Sequence, residues 1–241
     1  MPSPTTRRCF SSLRHQASPL LSWKLTGKLQ QTLASDIHKS GITLHSGNTS
    51  TIKLIPALAG QGRFFVVGAS NSNFIRIPAS IHFVTDTFLC TTLTKCGTSV
   101  RTVEHLLSAL EATGVDNCQI HLLPSSATAS AIHHEVPLLD GSAKEWVEAI
   151  HQVGFSVAKD YNGNTMDKLA PFLQQPVHVS INDSFIFAIP SQNFQITCGI
   201  NFPHVPAIGC QWFSSVSMDD CFYKKEIASS RTFCIHEEVH F

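Results

Sequence analysis

Short runs of β-type residues, cut every few positions by Gly, Pro, Asn and Ser, dominate this chain from Gln31 onward and limit it to a fold built on sheets. "STIKLIPA" alternates through Ile52 and Leu54, and "RFFVV" is a compact apolar run. "FIRIPASIHF" alternates imperfectly through Phe74, Ile75, Ile77 and Ile81 around a proline that suits a sheet edge, and "NCQIHLL" supplies a further strand. Helical periodicity interrupts these runs. At about 100° per residue, "TVEHLLSALEATG" gathers Val103, Leu106, Leu107 and Leu110 into one apolar stripe. "DGSAKEWVEAIHQVG" combines a capping-box pattern at Ser142 and Glu145 with Ala143, Trp146, Val147 and Ile150 at helical spacing, and Gly154 stands where a left-handed stop belongs.

Residues 158–175, with "KDYNGNTMDK", are polar and read as a linker between a first domain, 31–157, and a second, 176–241. The second begins with strands "QPVHVSI" and "SFIFAI", parted by Asn182-Asp183 as a tight hairpin. "NFQITCGINF" then alternates through Phe194, Ile196, Cys198, Ile200 and Phe202, and a helix is predicted over 218–230. Both domains share a plan of strands followed by helix. The fold class is α+β, two tandem α/β layers.

With 43% hydrophobic and 14% charged residues the chain can bury a core. Seventeen basic residues balance seventeen acidic ones, so no global field favours nucleic acid or an anionic membrane. No apolar run approaches the roughly eighteen residues of a membrane-spanning helix. The eight cysteines form no C-x-x-C pair, which argues for buried free thiols over a zinc ribbon or dithiol centre. Residues 1–30 carry Arg7, Arg8, Arg14, Lys24 and Lys28, with no acid before Asp36, a transit-peptide composition that points to the mitochondrion.

Glu104 and His105 stand side by side on the first turn of the "TVEHL" helix. The face shared by His105, Ser108, Ala109 and Ala112 is uncharged, so it is expected to pack against something. An imidazole can ligate a metal, and a neighbouring carboxylate can act as general base for hydrolysis. The spacing equally admits a packed histidine beside a favourable first-turn charge. "HEEVH", His236 to His240, matches the H-E-x-x-H pattern of zinc peptidases, though Phe241 ends the chain one residue later. His133, His134 and Glu135 in "IHHEVPLLDGS" read as a loop that orders the chain. No G-x-S-x-G elbow or phosphate-cradling glycine loop occurs.

"SGITLHSG", "DTFLCTTL", "RTVEHLLSALEATGVDN", "EVPLLDGSA", "INFPHVPAIGCQ" and "SSRTF", taken in order, resemble the UDP-3-O-acyl-N-acetylglucosamine deacetylases, zinc amidases of lipid A biosynthesis. The resemblance covers about residues 31–236. It implies two tandem two-layer α/β sandwich domains of similar topology, with zinc between them and the second incomplete in this chain. It implies a zinc ligand at His105, a general base at Glu104 and oxyanion support from Thr232. His45 with Leu44, Phe88, Cys90 and Phe233 fall near the substrate cleft by the same comparison. The implied substrate is a UDP-linked acylated glucosamine, with no nucleic-acid partner and no membrane span. The family's two other zinc ligands lie in an H-K-x-x-D helix that this sequence does not contain, so the rival expectation is a catalytically silent truncated paralogue or splice product that either does nothing or associates with a full-length paralogue.

Overall fold

The structure is a computed structural model, described here for residues 20–68, 74–123, 133–215 and 218–233. Its described chain divides into two compact units, one of residues 20–26 and 169–192, the other of residues 27–168 and 193–233.

The larger unit is organised by a five-stranded sheet in the order Ile37–Ile42, Thr49–Pro56, Cys118–Leu123, Arg63–Val67, Ile75–Pro78. The central strand, Cys118–Leu123, runs antiparallel to Thr49–Pro56 and parallel to Arg63–Val67. Period-2 alternation sends Ile52, Leu54, Phe65, Val67, Ile77 and Ile120 to one face, where they are almost wholly removed from water. Each such side chain contributes about 1.5–3 kcal/mol of burial. Ile75–Pro78 is at the sheet edge, where the missing N–H of Pro78 costs no ladder bond.

Two helices cover that apolar face. Helix α1 (Glu104–Ala112) buries Leu106, Ala109 and Leu110, and helix α2 (Lys144–Val153) buries Trp146, Val147, Ala149 and Ile150. The α2 cap differs from the capping box that the sequence suggests. Ser142 Oγ accepts from the Lys144 N–H at 3.1 Å and donates to Asp140, while Glu145 pairs with Lys39 at 3.2 Å. The cause is the Asp140 carboxylate, which draws the Ser142 hydroxyl back into the preceding turn. Gly154 ends the helix at the expected position, at φ +75° and ψ −169°, a positive-φ conformation outside the left-handed helical region.

A four-stranded sheet, His133–Glu135, Thr98–Arg101, Thr92–Lys95, Val84–Asp86, leads directly into α1. His133–Glu135 pairs in parallel with Thr98–Arg101, so residues expected as a loop are a strand. The same unit holds the hairpin of Thr197–Phe202 with Gly209–Ser214 and a helical segment from Asp220 to Ile227 whose second part, Tyr223–Ile227, is a π turn.

The smaller unit contains the hairpin Val177–Ile181 with Ser184–Ala188, turned at Asn182 with φ +54°. Two stretches differ from the reading of their composition. Leu21–Leu29, within the expected leader, is a strand, and its partner Asp167–Leu173 lies within the expected linker. Leu21, Trp23, Leu25 and Leu29 recur with a period of two that the basic residues between them obscure, and Lys24 sets its ammonium 3.4 Å from the centre of the Phe172 ring. No helix among the described residues is long and apolar enough to cross a membrane.

Candidate active site

Two residues separate the strand Thr98–Arg101 from α1, and the first makes the turn at some cost. Thr102 has φ +57°, a conformation that a β-branched side chain adopts only under constraint, at about 1–3 kcal/mol. Val103 follows as the N-cap, fully buried and without a side-chain cap bond. Glu104 and His105 thus emerge at the first turn of a helix anchored by Val103, Leu106 and Leu110.

Glu104 Oε2 accepts the Thr91 backbone N–H at 3.0 Å. That bond fixes the carboxylate on the loop that leads into Thr92–Lys95. His105 is half-buried, and its Nε2 is enclosed with no hydrogen-bond partner among the described residues. An orphaned ring nitrogen of this kind is costly unless something else satisfies it, and it suits one coordination position of a metal ion. Among the described residues no group of three or more His, Cys, Asp or Glu side chains is arranged to hold a metal, so His105 fits as a single ligand and not as part of a complete set.

A second polar chain runs beside this pair. His45 Nδ1 lies 2.8 Å from Glu135 Oε1, the Thr102 hydroxyl donates to the same oxygen at 2.9 Å, and His45 Nε2 faces Cys90 Sγ at 3.9 Å. Cys90 is buried and immediately precedes Thr91, the residue that holds Glu104. A cleft of about 290 Å³, walled in part by Thr43, Asn48 and Arg101, opens onto His45 and Glu135.

The sequence-predicted residues therefore separate into two groups. His45, Cys90, Glu104 and His105 belong to one connected neighbourhood. Thr232 and Phe233 stand on another feature: the Thr232 N–H donates to Gly141 O at 3.2 Å, and Phe233 meets Phe202 edge-on at 5.8 Å. Phe88 and Leu44 are exposed, and Phe88 is tied by its N–H to Asp86 Oδ1 at 3.0 Å. No hydrogen bond among the described residues joins Thr232 or Phe233 to Glu104 or His105. His236 and His240 lie outside the described residues.

The turn that receives Thr232 is itself electrostatically set. Burial alone would raise the Asp140 carboxyl, but the Ser142 hydroxyl and N–H and the nearby Arg231 guanidinium hold it below the usual carboxylate range. Sequence reasoning passes over Thr102 and takes Glu135 for part of an ordering loop, where the structure has a strand whose carboxylate binds His45 and Thr102. A usable signal was present in "HHEVP", where a carboxylate sits two residues before a proline between β-type residues.

Comparison with known proteins gives the family of the chain. Residues 30–241 match the family model described as UDP-3-O-acyl N-acetylglycosamine deacetylase. An Arabidopsis thaliana protein named "Probable UDP-3-O-acyl-N-acetylglucosamine deacetylase 1, mitochondrial" is 51% identical over 223 residues, 92% of this chain and 66% of the relative. "UDP-3-O-acyl-N-acetylglucosamine deacetylase" of Trichormus variabilis is 40% identical over 88% of this chain and 71% of its own length. The Thermosynechococcus vestitus protein of the same name is 38% identical over 90% of this chain and 69% of its own. The chain spans just under two thirds, 66%, of the length of the Arabidopsis relatives it matches. On the family match over residues 30–241, the chain belongs to the UDP-3-O-acyl N-acetylglycosamine deacetylase family, LpxC.

Proposed function

We propose that this protein acts in the mitochondrion on a UDP-linked 3-O-acyl-N-acetylglucosamine and hydrolyses its N-acetyl amide to acetate and the free amine, an early step in making a lipid A-like product. The observation that carries the reading is the enclosed, unpartnered Nε2 of His105 beside a Glu104 carboxylate held by the Thr91 N–H. The names of the matching relatives support the substrate class, and the Arabidopsis names together with the basic composition of residues 1–30 support the location. We also keep the division into a first domain at 31–157 and a second at 176–241 as part of this proposal.

His105 Nε2 is the atom of this chain that would hold zinc, and the two further ligands that the family resemblance implies, in an H-K-x-x-D helix, are not among the residues of this sequence. Bound zinc supplies Lewis-acid polarisation of the amide carbonyl. Glu104 removes the proton of the attacking water at a carboxylate oxygen and later returns it to the leaving amine; its fixed Oε2 limits the reorganisation this transfer requires. Thr232 contributes its hydroxyl to the developing oxyanion, and Gly141 O positions its backbone. His45, Phe88, Cys90 and Phe233 border the bound substrate.

The test measures amine release from UDP-3-O-(3-hydroxyacyl)-N-acetylglucosamine, with zinc stoichiometry by atomic emission on the same samples. Glu104→Gln is expected to lower kcat by about 10²–10⁴-fold and leave zinc in place. His105→Ala is expected to lose both. Zinc-loaded protein with no amine release would identify a non-catalytic member of the family and overturn the proposed activity.

A further inference from the structure

Glu135 is fixed by its strand before it makes any side-chain contact. His133–Glu135 lies in parallel register with Thr98–Arg101, and the next residue, Val136, donates its N–H to Arg101 O at 3.1 Å. The carboxylate projects from that strand with only 8% of its side chain exposed. Three groups converge on it: the His45 Nδ1 at 2.8 Å, the Thr102 hydroxyl at 2.9 Å, and the His45 backbone N–H, which reaches its two oxygens at 3.2 and 3.3 Å. An ionised carboxylate only accepts, so the nitrogen facing it is the one that carries the proton.

Both partners lead to the candidate reacting groups. Thr102 is 1% exposed, holds φ +57°, and is two residues from Glu104. Its hydroxyl bond to Glu135 helps hold a conformation that the threonine would otherwise leave. His45 presents its other ring nitrogen to Cys90 Sγ, and Thr91 passes the connection to Glu104 Oε2. The path closes on itself, from Glu135 through His45, Cys90, Thr91, Glu104 and Thr102 back to Glu135.

We propose that Glu135 is a positioning residue: its carboxylate ties the His45 imidazole and the strained approach to α1 into one unit, fixing His45 with its proton on Nδ1 and Glu104 in its working orientation. The catalytic part rests on the deacetylase reading above, and the His45 part does not. Loss of the Glu135 carboxylate is expected to lower activity about 10- to 100-fold, by analogy with the loss of a group that orients a metal-ligating side chain.

The experiment records two-bond ¹H–¹⁵N correlations on protein labelled with ¹⁵N-histidine, with His45 assigned from the spectrum of a His45→Gln variant. The expected wild-type ring is protonated at Nδ1. Glu135→Gln is expected to move the His45 Nδ1 resonance and to lower kcat for amide hydrolysis about 10- to 100-fold, with a smaller change in KM. A bare Nδ1 in the wild-type protein overturns the proposal without any variant, so a Glu135→Gln protein that fails to fold does not shelter it. Unchanged His45 resonances in Glu135→Gln also overturn it, as does unchanged kcat in a protein whose wild type is active. An inactive wild type would defeat the deacetylase reading instead, and the Nδ1 signature would then decide the fate of Glu135 alone.

Discussion

The Tyr223 hydroxyl and the Ser108 Oγ lie 2.6 Å apart, so the helical segment Asp220–Ile227 touches α1 on the face that also carries His105. Tyr223 and Ala228 are buried members of the central core, and His151 of α2 reaches Asp220 Oδ1 at 3.2 Å. The contact covers the His105 face only in part, since Ser108 stays exposed, and the small side chains there let the second segment approach.

Tyr223→Phe should therefore cost about 0.5–1.5 kcal/mol in urea denaturation, and Tyr223→Ala about 3–5 kcal/mol through the cavity it leaves. Burial pushes the Tyr223 phenol above its ordinary value of 10.0, and the Ser108 bond offsets part of that shift. A raised native value favours the protonated form in the fold. The contribution is then full below pH 10 and is lost as pH rises through the higher native value. Denaturation curves between about pH 9 and 12 should show wild type losing stability faster than Tyr223→Phe; parallel losses would refute the burial argument.

Thiol reactivity offers an independent check on the core. Cys118 has no exposed surface, and burial pushes its thiol up to about 12. At pH 8 its thiolate fraction is on the order of one in ten thousand. Cys198 and Cys210, exposed on the hairpin of Thr197–Phe202 with Gly209–Ser214, should be alkylated by iodoacetamide in the native protein, while Cys118 should react only after denaturation. Peptide mass spectrometry reads the difference directly. Early modification of Cys118 would mean that the central strand is not buried as described.

The elements that were legible in sequence are those whose signal is local. Ile52 and Leu54 declare a strand, Gly154 declares a helix end, and Asn182-Asp183 declares a turn. Glu104 and His105 were legible as a candidate pair because they are neighbours on one turn. Glu135 was not, because its meaning depends on His45 and Thr102, which lie 90 and 33 residues away. The strand Leu21–Leu29 was hidden for a different reason: its lysines match a leader composition, and only pairing with Asp167–Leu173 gives them a structured role.

Acid should loosen the segment that carries Thr232 before it unfolds the core. Asp140 is held below the usual carboxylate range, chiefly because the bonds from Ser142 and the proximity of Arg231 outweigh the opposing effect of burial. A depressed native value means that the stabilisation is present above the ordinary value of 3.8 and is lost as pH falls through the native one. Hydrogen exchange at the Thr232 amide, bonded to Gly141 O, should accelerate in Asp140→Asn at neutral pH, while exchange in the strand Cys118–Leu123 stays slow. Equal protection of Thr232 in both proteins would show that the turn does not depend on the charge.

Gly41 tests how tightly that same turn is seated. A Cβ added there would stand 3.0 Å from Leu139 Cδ2 and 3.2 Å from Pro137 Cβ, and the proline ring cannot rotate away. The Leu138 N–H donates to Ile42 O at 2.9 Å, so residues 137–139 are pinned against the strand at the point of the clash. Gly41→Ala should cost about 1–3 kcal/mol by overpacking. Leu139→Ala removes a partly buried side chain and carries its own cost, yet it also vacates the space that the new methyl needs. The double variant should therefore lose less stability than the two single losses added together, by about 0.5 kcal/mol or more. Strict additivity in a double-mutant cycle would show that Leu139 is not what excludes a side chain at position 41.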